Sequence, residues 1–202
     1  MSPALTIYTP DGTPQVAEFR IPLSVVEIEA ADNIWRPIII IESYRLLQAG
    51  TPLSDLPEHK HWMWRLKAHR YHATAGYTFA GIYHMGEAQG LMLINTARLC
   101  REASQTGQAL AYIDYVSSAP WNLPSLVTNP RYRGVGKALI RAAISLSEAE
   151  GFDGRIGLHS LPQAEAFYRD TCGMTNLGID RNEHDLRYFE MTAAQVAAFS
   201  AA

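Results

Sequence analysis

Two places in this chain of 202 residues combine residue types and spacing that could do chemistry. The first is Asn129-Pro130-Arg131-Tyr132-Arg133-Gly134-Val135-Gly136-Lys137-Ala138-Leu139-Ile140. Two glycines sit among basic side chains and open an apolar stripe of helical period, Val135, Leu139, Ala143 and Leu146, widened by Ile140 and Ala142. The first turn of a helix has backbone N–H groups without acceptors and a partial positive charge, which suits a phosphate. Glycine there lets the backbone approach a ligand that a Cβ would keep away. Arg131, Tyr132, Arg133, Gly134, Val135, Gly136, Lys137 and Ala138 are therefore read as a phosphate cradle. The second place is Asp114, a lone acid in Tyr112-Ile113-Asp114-Tyr115-Val116. An acid in an apolar run belongs to a site, to a salt bridge or to the wet face of a sheet, and as a base it could take a proton.

Spacing separates the ligands such a cradle could serve. A nucleotide-triphosphate loop needs a glycine where Arg131 stands and a hydroxyl where Ala138 stands, and a dinucleotide loop needs a third glycine at Leu139. The pattern Arg/Gln-x-x-Gly-x-Gly/Ala fits as Arg131, Gly134 and Gly136. Downstream, Gly154 to His159 reads as a short strand, and Ser160 to Met174 as a helix with a Ser160/Gln163 capping box and Ala164, Phe167 and Tyr168 on one face. Together these residues resemble the acyl-CoA loop, the following strand and the Ala/Tyr helix of the GNAT superfamily of N-acetyltransferases. The asparagine that often begins that helix is replaced here by Ser160 or Leu161. The resemblance is strongest from about Leu110 to Met191, and the turn Ala119-Pro120-Trp121-Asn122 adds to it.

The resemblance implies an α/β fold with a central mixed, mostly antiparallel sheet flanked by helices on both faces. It implies acetyl-CoA as co-substrate, direct transfer to a primary amine, and neither a metal nor a covalent enzyme intermediate. Tyr168 takes the role of the acid that protonates the departing thiolate. Asp114 is the base, on the strand lining the acyl end, and Ser160 joins the cradle residues in binding the cofactor. Trp121 and, at the end of a strand, Tyr83 and His84 are candidates for acceptor contact, although a loop-anchoring role fits Trp121 equally.

The remaining elements frame these residues. Leu5 to Tyr8 and Val25 to Ile28 read as strand-like runs around the turn Thr9-Pro10-Asp11-Gly12, within an N-terminal extension over 1–30. A helix is expected from Pro37 to Ala49, closed by Gly50, although Ile38 to Ile41 alone also fits a buried strand, and another from Asp55 to about Arg70, capped by the Asp55/Glu58 spacing. Tyr77–His84, Gln89–Ala97 and Ala109–Ser117 read as strands, Thr175–Ile179 and Leu186–Met191 as a hairpin, and Thr192 with Gln195 as the cap of a last helix. Among other residues, His69 and His72 lack a third ligand at motif spacing, so a solvated helix face suits them better than zinc. Arg155 and His159 read as sheet-edge residues.

Composition bounds the function. A length of 202 residues fits one acyltransferase domain over 1–202, and 48% hydrophobic with 18% charged residues is ordinary for a globular protein. A formal net charge of -3 argues against nucleic acid as partner, leaving a local basic patch suited to a small phosphorylated ligand. No run approaches the ~20 apolar residues of a membrane span, the start lacks a leader pattern, and Cys100 and Cys172 show no metal spacing. The chain reads as cytoplasmic. The resemblance implies a small-molecule or peptide amine acceptor as partner, with a homodimer open as an assembly state. The alternatives are a non-catalytic acyl-CoA-binding sensor on the same fold and a protein-interaction module working through the helix at Asp55–Arg70.

Overall fold

The computed structural model describes residues 5–201. In chain order its regular elements are β1 (Leu5–Tyr8), β2 (Pro14–Arg20), α1 (Val25–Gln48), α2 (Trp64–Tyr71), β3 (Tyr77–His84), β4 (Glu87–Leu99), β5 (Ala109–Ser118), α3 (Val135–Ala149), β6 (Ile156–Ser160), β7 (Thr175–Asp180), β8 (Leu186–Met191) and α4 (Ala193–Ala201). The strands form one mixed sheet in the order β1-β2-β3-β4-β5-β6-β8-β7, flanked by helices, with β5 and β6 parallel. The fold class is therefore the one expected. The chain divides into two compact units, Met1–Met92 with Val116–Leu139 and Leu93–Tyr115 with Ile140–Ala202.

In the first unit β1 and β2 form a hairpin around Thr9–Thr13, where Gly12 takes φ +88°. Sequence reading missed β2, because it begins at a proline directly after turn residues. The run Val25–Ile28, expected as a strand, is instead the first turn of α1. Ser24 accepts from the Glu27 N–H while the Glu27 carboxylate accepts from the Ser24 N–H, a complete capping box. Ile28, Ala31, Trp35 and Ile39 are buried at helical spacing, which outweighs the β-branched residues at the start. The helix also runs through Pro37, expected as its beginning. A proline interior to a helix removes one hydrogen bond, and 24 residues of helix carry that loss here. Gly50 closes α1 at φ +87° as expected.

The second helix starts at Trp64, nine residues later than expected. Pro52 and Pro57 break the intervening chain into short 3₁₀ turns at Leu53–Asp55 and Glu58–His61. The acid that helps to start α2 is not Asp55 but the buried Asp32 of α1, which accepts the Trp64 N–H at 2.9 Å. Further on, Gly90 of β4 gives α3 a flush seat. A Cβ there would come within 2.7 Å of Leu139.

In the second unit β6 lies parallel to β5 from Ala111↔Ile156 to Ile113↔Leu158 and antiparallel to β8. Asp114 is the first residue of β5 past that pairing. The helix expected after Ser160 is replaced by a 3₁₀ turn at Pro162–Ala164 and a π-turn at Phe167–Thr171. Leu161, not Ser160, stands at the first cap, with no side-chain cap hydrogen bond, and the Ser160 hydroxyl donates to the Leu161 carbonyl. Thr192 and Gln195 do form the reciprocal cap of α4. Among the described residues, no helix is long and apolar enough to cross a membrane.

Candidate active site

The cradle begins with a run of backbone bonds that leaves little freedom. Arg131 N–H donates to the Trp121 carbonyl at 2.9 Å, Tyr132 N–H to Asn122 Oδ1 at 2.9 Å, and Arg133 N–H to the Tyr8 carbonyl at 2.7 Å. Tyr8 N–H returns a bond to the Arg133 carbonyl at 3.0 Å, so β1 pairs with the cradle itself. Gly134 then turns at φ +78°, in the left-handed region that side chains resist. The first helical bond is Ala138 N–H to the Gly134 carbonyl at 2.9 Å. By helix geometry the N–H groups of Gly134, Val135, Gly136 and Lys137 have no acceptor inside the helix. Arg133 is exposed and Lys137 half-buried beside them, while Val135 and Ala138 are buried and anchor the turn. A phosphate or pyrophosphate fits this junction by charge and by hydrogen-bond donors.

Gln89, a fully buried residue of β4 that sequence reading passed over, braces the cradle from below. Its side-chain oxygen accepts from Trp121 Nε1 at 2.9 Å and from Asn122 Nδ2 at 3.0 Å, and its carbonyl accepts from Ala119 N–H at 2.8 Å. The Ala-Pro-Trp-Asn turn is thus a strut between β4 and the loop. Trp121 is mostly buried, edge-on to Trp35 at 6.4 Å, with the Arg131 guanidinium 4.7 Å from its ring. Arg131 also pairs with Glu87 at 2.7 Å. His84 donates from Nδ1 to the Val16 carbonyl at 2.9 Å and meets Tyr132 edge-on at 5.2 Å. The first unit therefore brings together the cradle, Trp121 and His84.

The second unit holds Asp114, Tyr168 and Ser160. One carboxylate oxygen of Asp114 is buried without a hydrogen-bond partner. Burial pushes its pKa up to about 6, against the opposing pull of Arg98, with Glu183 adding to the rise. Tyr168 is buried against Phe189 and Phe167, and its phenol is pushed up by burial, with Cys172 adding to the effect. The expected shared face of Ala164, Phe167 and Tyr168 is altered by the π-turn, which buries Tyr168 and leaves the other two half-exposed. Ser160 is buried at the end of β6.

No family model and no curated protein matches this sequence. Solved structures do. PaiA N-acetyltransferase from Thermoplasma acidophilum, in complex with coenzyme A, superposes with a TM-score of 0.52 at 16% identity over 87% of this chain and 98% of that one. The GNAT domain of S. lividans PAT gives 0.53 at 15%, over 93% and 96%. An acetyltransferase from Thermus thermophilus gives 0.50 at 12%, over 87% and 96%. The chain has the GNAT fold.

Within this GNAT fold runs a polar network on β5, β6, β7 and β8 of which the sequence shows no sign. His159, expected at a sheet edge, lies on the inner strand β6 with its side chain almost fully covered. Its Nδ1 meets the Tyr112 hydroxyl at 2.5 Å and its Nε2 meets Asp180 at 3.2 Å. Asp180 also pairs with Arg101, which holds its carboxyl well below the usual range, at about 2. Glu190, fully buried, accepts from the N–H groups of Arg101 and Glu102 at 2.5 and 2.9 Å. Beside this network Arg98, Arg101, Asp180, Arg181, Glu183 and Tyr188 line part of a cavity of about 620 Å³. Alternating polar residues in a strand carry no mark of partners so far away in sequence. Arg155 is likewise buried, bonded through Nε to the Ala109 carbonyl at 3.0 Å.

Proposed function

We propose that this protein is an N-acetyltransferase that moves an acetyl group from acetyl-CoA directly to a primary amine, with residues 1–202 forming one acyltransferase domain. The observation that carries the reading is the Gly134 junction: a left-handed glycine, four helix-start amides and two basic side chains, on a GNAT fold. Gly134, Val135, Gly136, Lys137 and Arg133 would hold the pyrophosphate, with Arg131, Tyr132 and Ala138 shaping the loop and Ser160 as a further contact. Acetyl-CoA, when bound, supplies a thioester whose acyl carbon an amine can attack.

The chain's own residues manage the protons. An alkyl ammonium has a pKa of about 10.4 and must lose a proton before it can attack. Asp114 at about 6 is ionised at neutral pH yet poorly solvated, so it takes a proton more readily than an ordinary aspartate. Tyr168, kept neutral by burial, is the hydroxyl that returns a proton to the departing sulfur. Trp121 and His84 stand on the acceptor side. The scheme uses neither a metal nor a covalent enzyme intermediate.

The unpartnered carboxylate oxygen of Asp114 favours turnover over a passive acyl-CoA sensor, because such a group has a cost and no structural return. The test is thiol release from acetyl-CoA across a panel of small amines and peptide N-termini, beside calorimetric CoA binding. Amine-dependent thiol release supports the transferase. CoA binding with no amine-dependent release would favour the sensor, and no binding at all sinks both.

A further inference from the structure

A smaller cavity of about 210 Å³ lies in the first unit, walled by α1, β3 and the Ala-Pro-Trp-Asn turn. Pockets for drug-sized ligands measure about 300–1,000 Å³, so this one takes a compact molecule and not a nucleotide or a peptide. Ala31, Ile34, Trp35 and Trp121 give it apolar walls. Tyr83 completes them. That residue is only 6% exposed, and its hydroxyl is buried with no hydrogen-bond partner. A buried unpaired hydroxyl costs stability unless something fills its valence, so it marks where a ligand's polar group would go.

The charges around the pocket select the sign of that group. Arg20 lies 4.2 Å over the Tyr83 ring but is matched by Glu18 at 2.7 Å, and Glu87 is matched by Arg131 at 2.7 Å. The Glu27 carboxylate, held by the Ser24 N–H at 2.9 Å and hydroxyl at 2.7 Å and drawn also to Arg20, is the second acid in the lining, so two carboxylates there face one guanidinium. Indole faces also attract cations. We propose that this pocket binds a compact primary amine with a flat apolar body, its ammonium toward Glu27 and the Tyr83 hydroxyl and its body against Trp35 and Trp121. The amine is the acceptor of the proposed transfer, and that part of the assignment rests on the transferase reading. Trp121 and Glu87 serve both as walls here and as partners of Arg131 in the cradle, which places the two features side by side.

The test uses 2-phenylethylamine as probe, by calorimetry on the full chain without acetyl-CoA. The wild type binds it, while 3-phenylpropionate, a similar body of opposite charge, does not bind. Tyr83→Phe weakens binding by roughly tenfold and raises the melting temperature, since the lost hydroxyl had no partner. Ala30→Leu, at the exposed rim of the pocket, weakens binding at least about tenfold with the melting curve unchanged. No binding to the wild type, equal binding to all three proteins, or equal binding of the acid overturns the pocket assignment. In thiol-release assays Ala30→Leu raises KM for the amine at unchanged CoA affinity, and an unchanged KM overturns the acceptor role. CoA binding is read separately. If the wild type binds the amine but not CoA, the transferase reading falls and the amine pocket stands.

Discussion

At the Gly134 junction, Arg131, Tyr132 and Arg133 each give a backbone N–H to a set acceptor before the free amides of α3 begin. In the second unit, Asp114 and Tyr168 owe their shifted pKa values to what surrounds them and not to what they bond. One carboxylate oxygen of Asp114 has no partner, and burial is the first cause of both pKa shifts. A binding surface built from backbone is tuned by conformation and barely notices pH. Acid–base groups made by burial are tuned by dielectric, and pH and polarity reach them directly. The two regions should therefore fail differently.

The largest effect is expected at Asp114. Asp114→Asn should lower turnover by about 10²- to 10⁴-fold with CoA affinity unchanged, and the limb of the pH–rate profile near pH 6 should vanish. The stability sign is opposite to the usual carboxylate case. The folded pKa of about 6 lies above the ~3.9 of an unfolded aspartate, so the folded state holds the proton more tightly. The stabilising contribution is full below the unfolded value and is lost as pH rises through about 6. At pH 7 the asparagine variant should melt no lower than the wild type, and higher if its amide finds a partner. A wild-type pH–rate profile in the variant would place the base elsewhere.

Conformation is the variable at Gly134. Gly134→Asp should weaken CoA binding by on the order of 100-fold and also lower the melting temperature by several degrees, because an L side chain is strained at φ +78° and its Cβ would stand 3.2 Å from the Tyr8 ring. The strain is a property of the dihedral angle, which the residue type alone does not give. Retained CoA affinity would remove the cradle from its assigned role. Tyr168→Phe is expected to cut turnover about tenfold while stability changes by about 1 kcal/mol or less. Normal thiol release in that variant would leave Tyr168 a packing residue. The smallest effect falls at Gln89. Gln89→Met leaves the Trp121 and Asn122 N–H donors unpaired, which should cost about 1–3 kcal/mol in a denaturant titration and weaken CoA binding only a few-fold. A large change in turnover with unchanged CoA affinity would contradict its role as a brace.

Much of the fold was legible where the signal is local. Strand β3 spans Tyr77–His84 as its pattern implied, and α3 follows its stripe from Val135. The α4 cap is read from two residues three apart. Errors cluster where a distant partner decides. Pro37 looks like a helix start until the Ser24 box is seen to begin the helix a dozen residues earlier, at Val25. The start of α2 depends on Asp32, which belongs to another helix. At the candidate site the Gly134 turn and the start of α3 were visible because glycine and helix period are local features. Gln89 and the partners of His159 were not, since a polar residue in a strand says nothing of what crosses to meet it, and Tyr83, readable as an acceptor candidate at a strand end, gave no sign that its hydroxyl is buried without a partner.

The pairing of Tyr8 with Arg133 joins opposite ends of the first unit's sequence. Closing so long a loop costs chain entropy before the contact repays it. The loop ahead of α3 should accordingly be among the last parts to form during folding and the first to open from the native state. Its amides should then exchange with solvent deuterium faster than those of β3 and β4, whose hairpin closes locally through Met85 and Gly86. A ligand that bridges β1 and α3 would slow that exchange, so deuterium uptake at Arg133 reports occupancy without any assay of transfer.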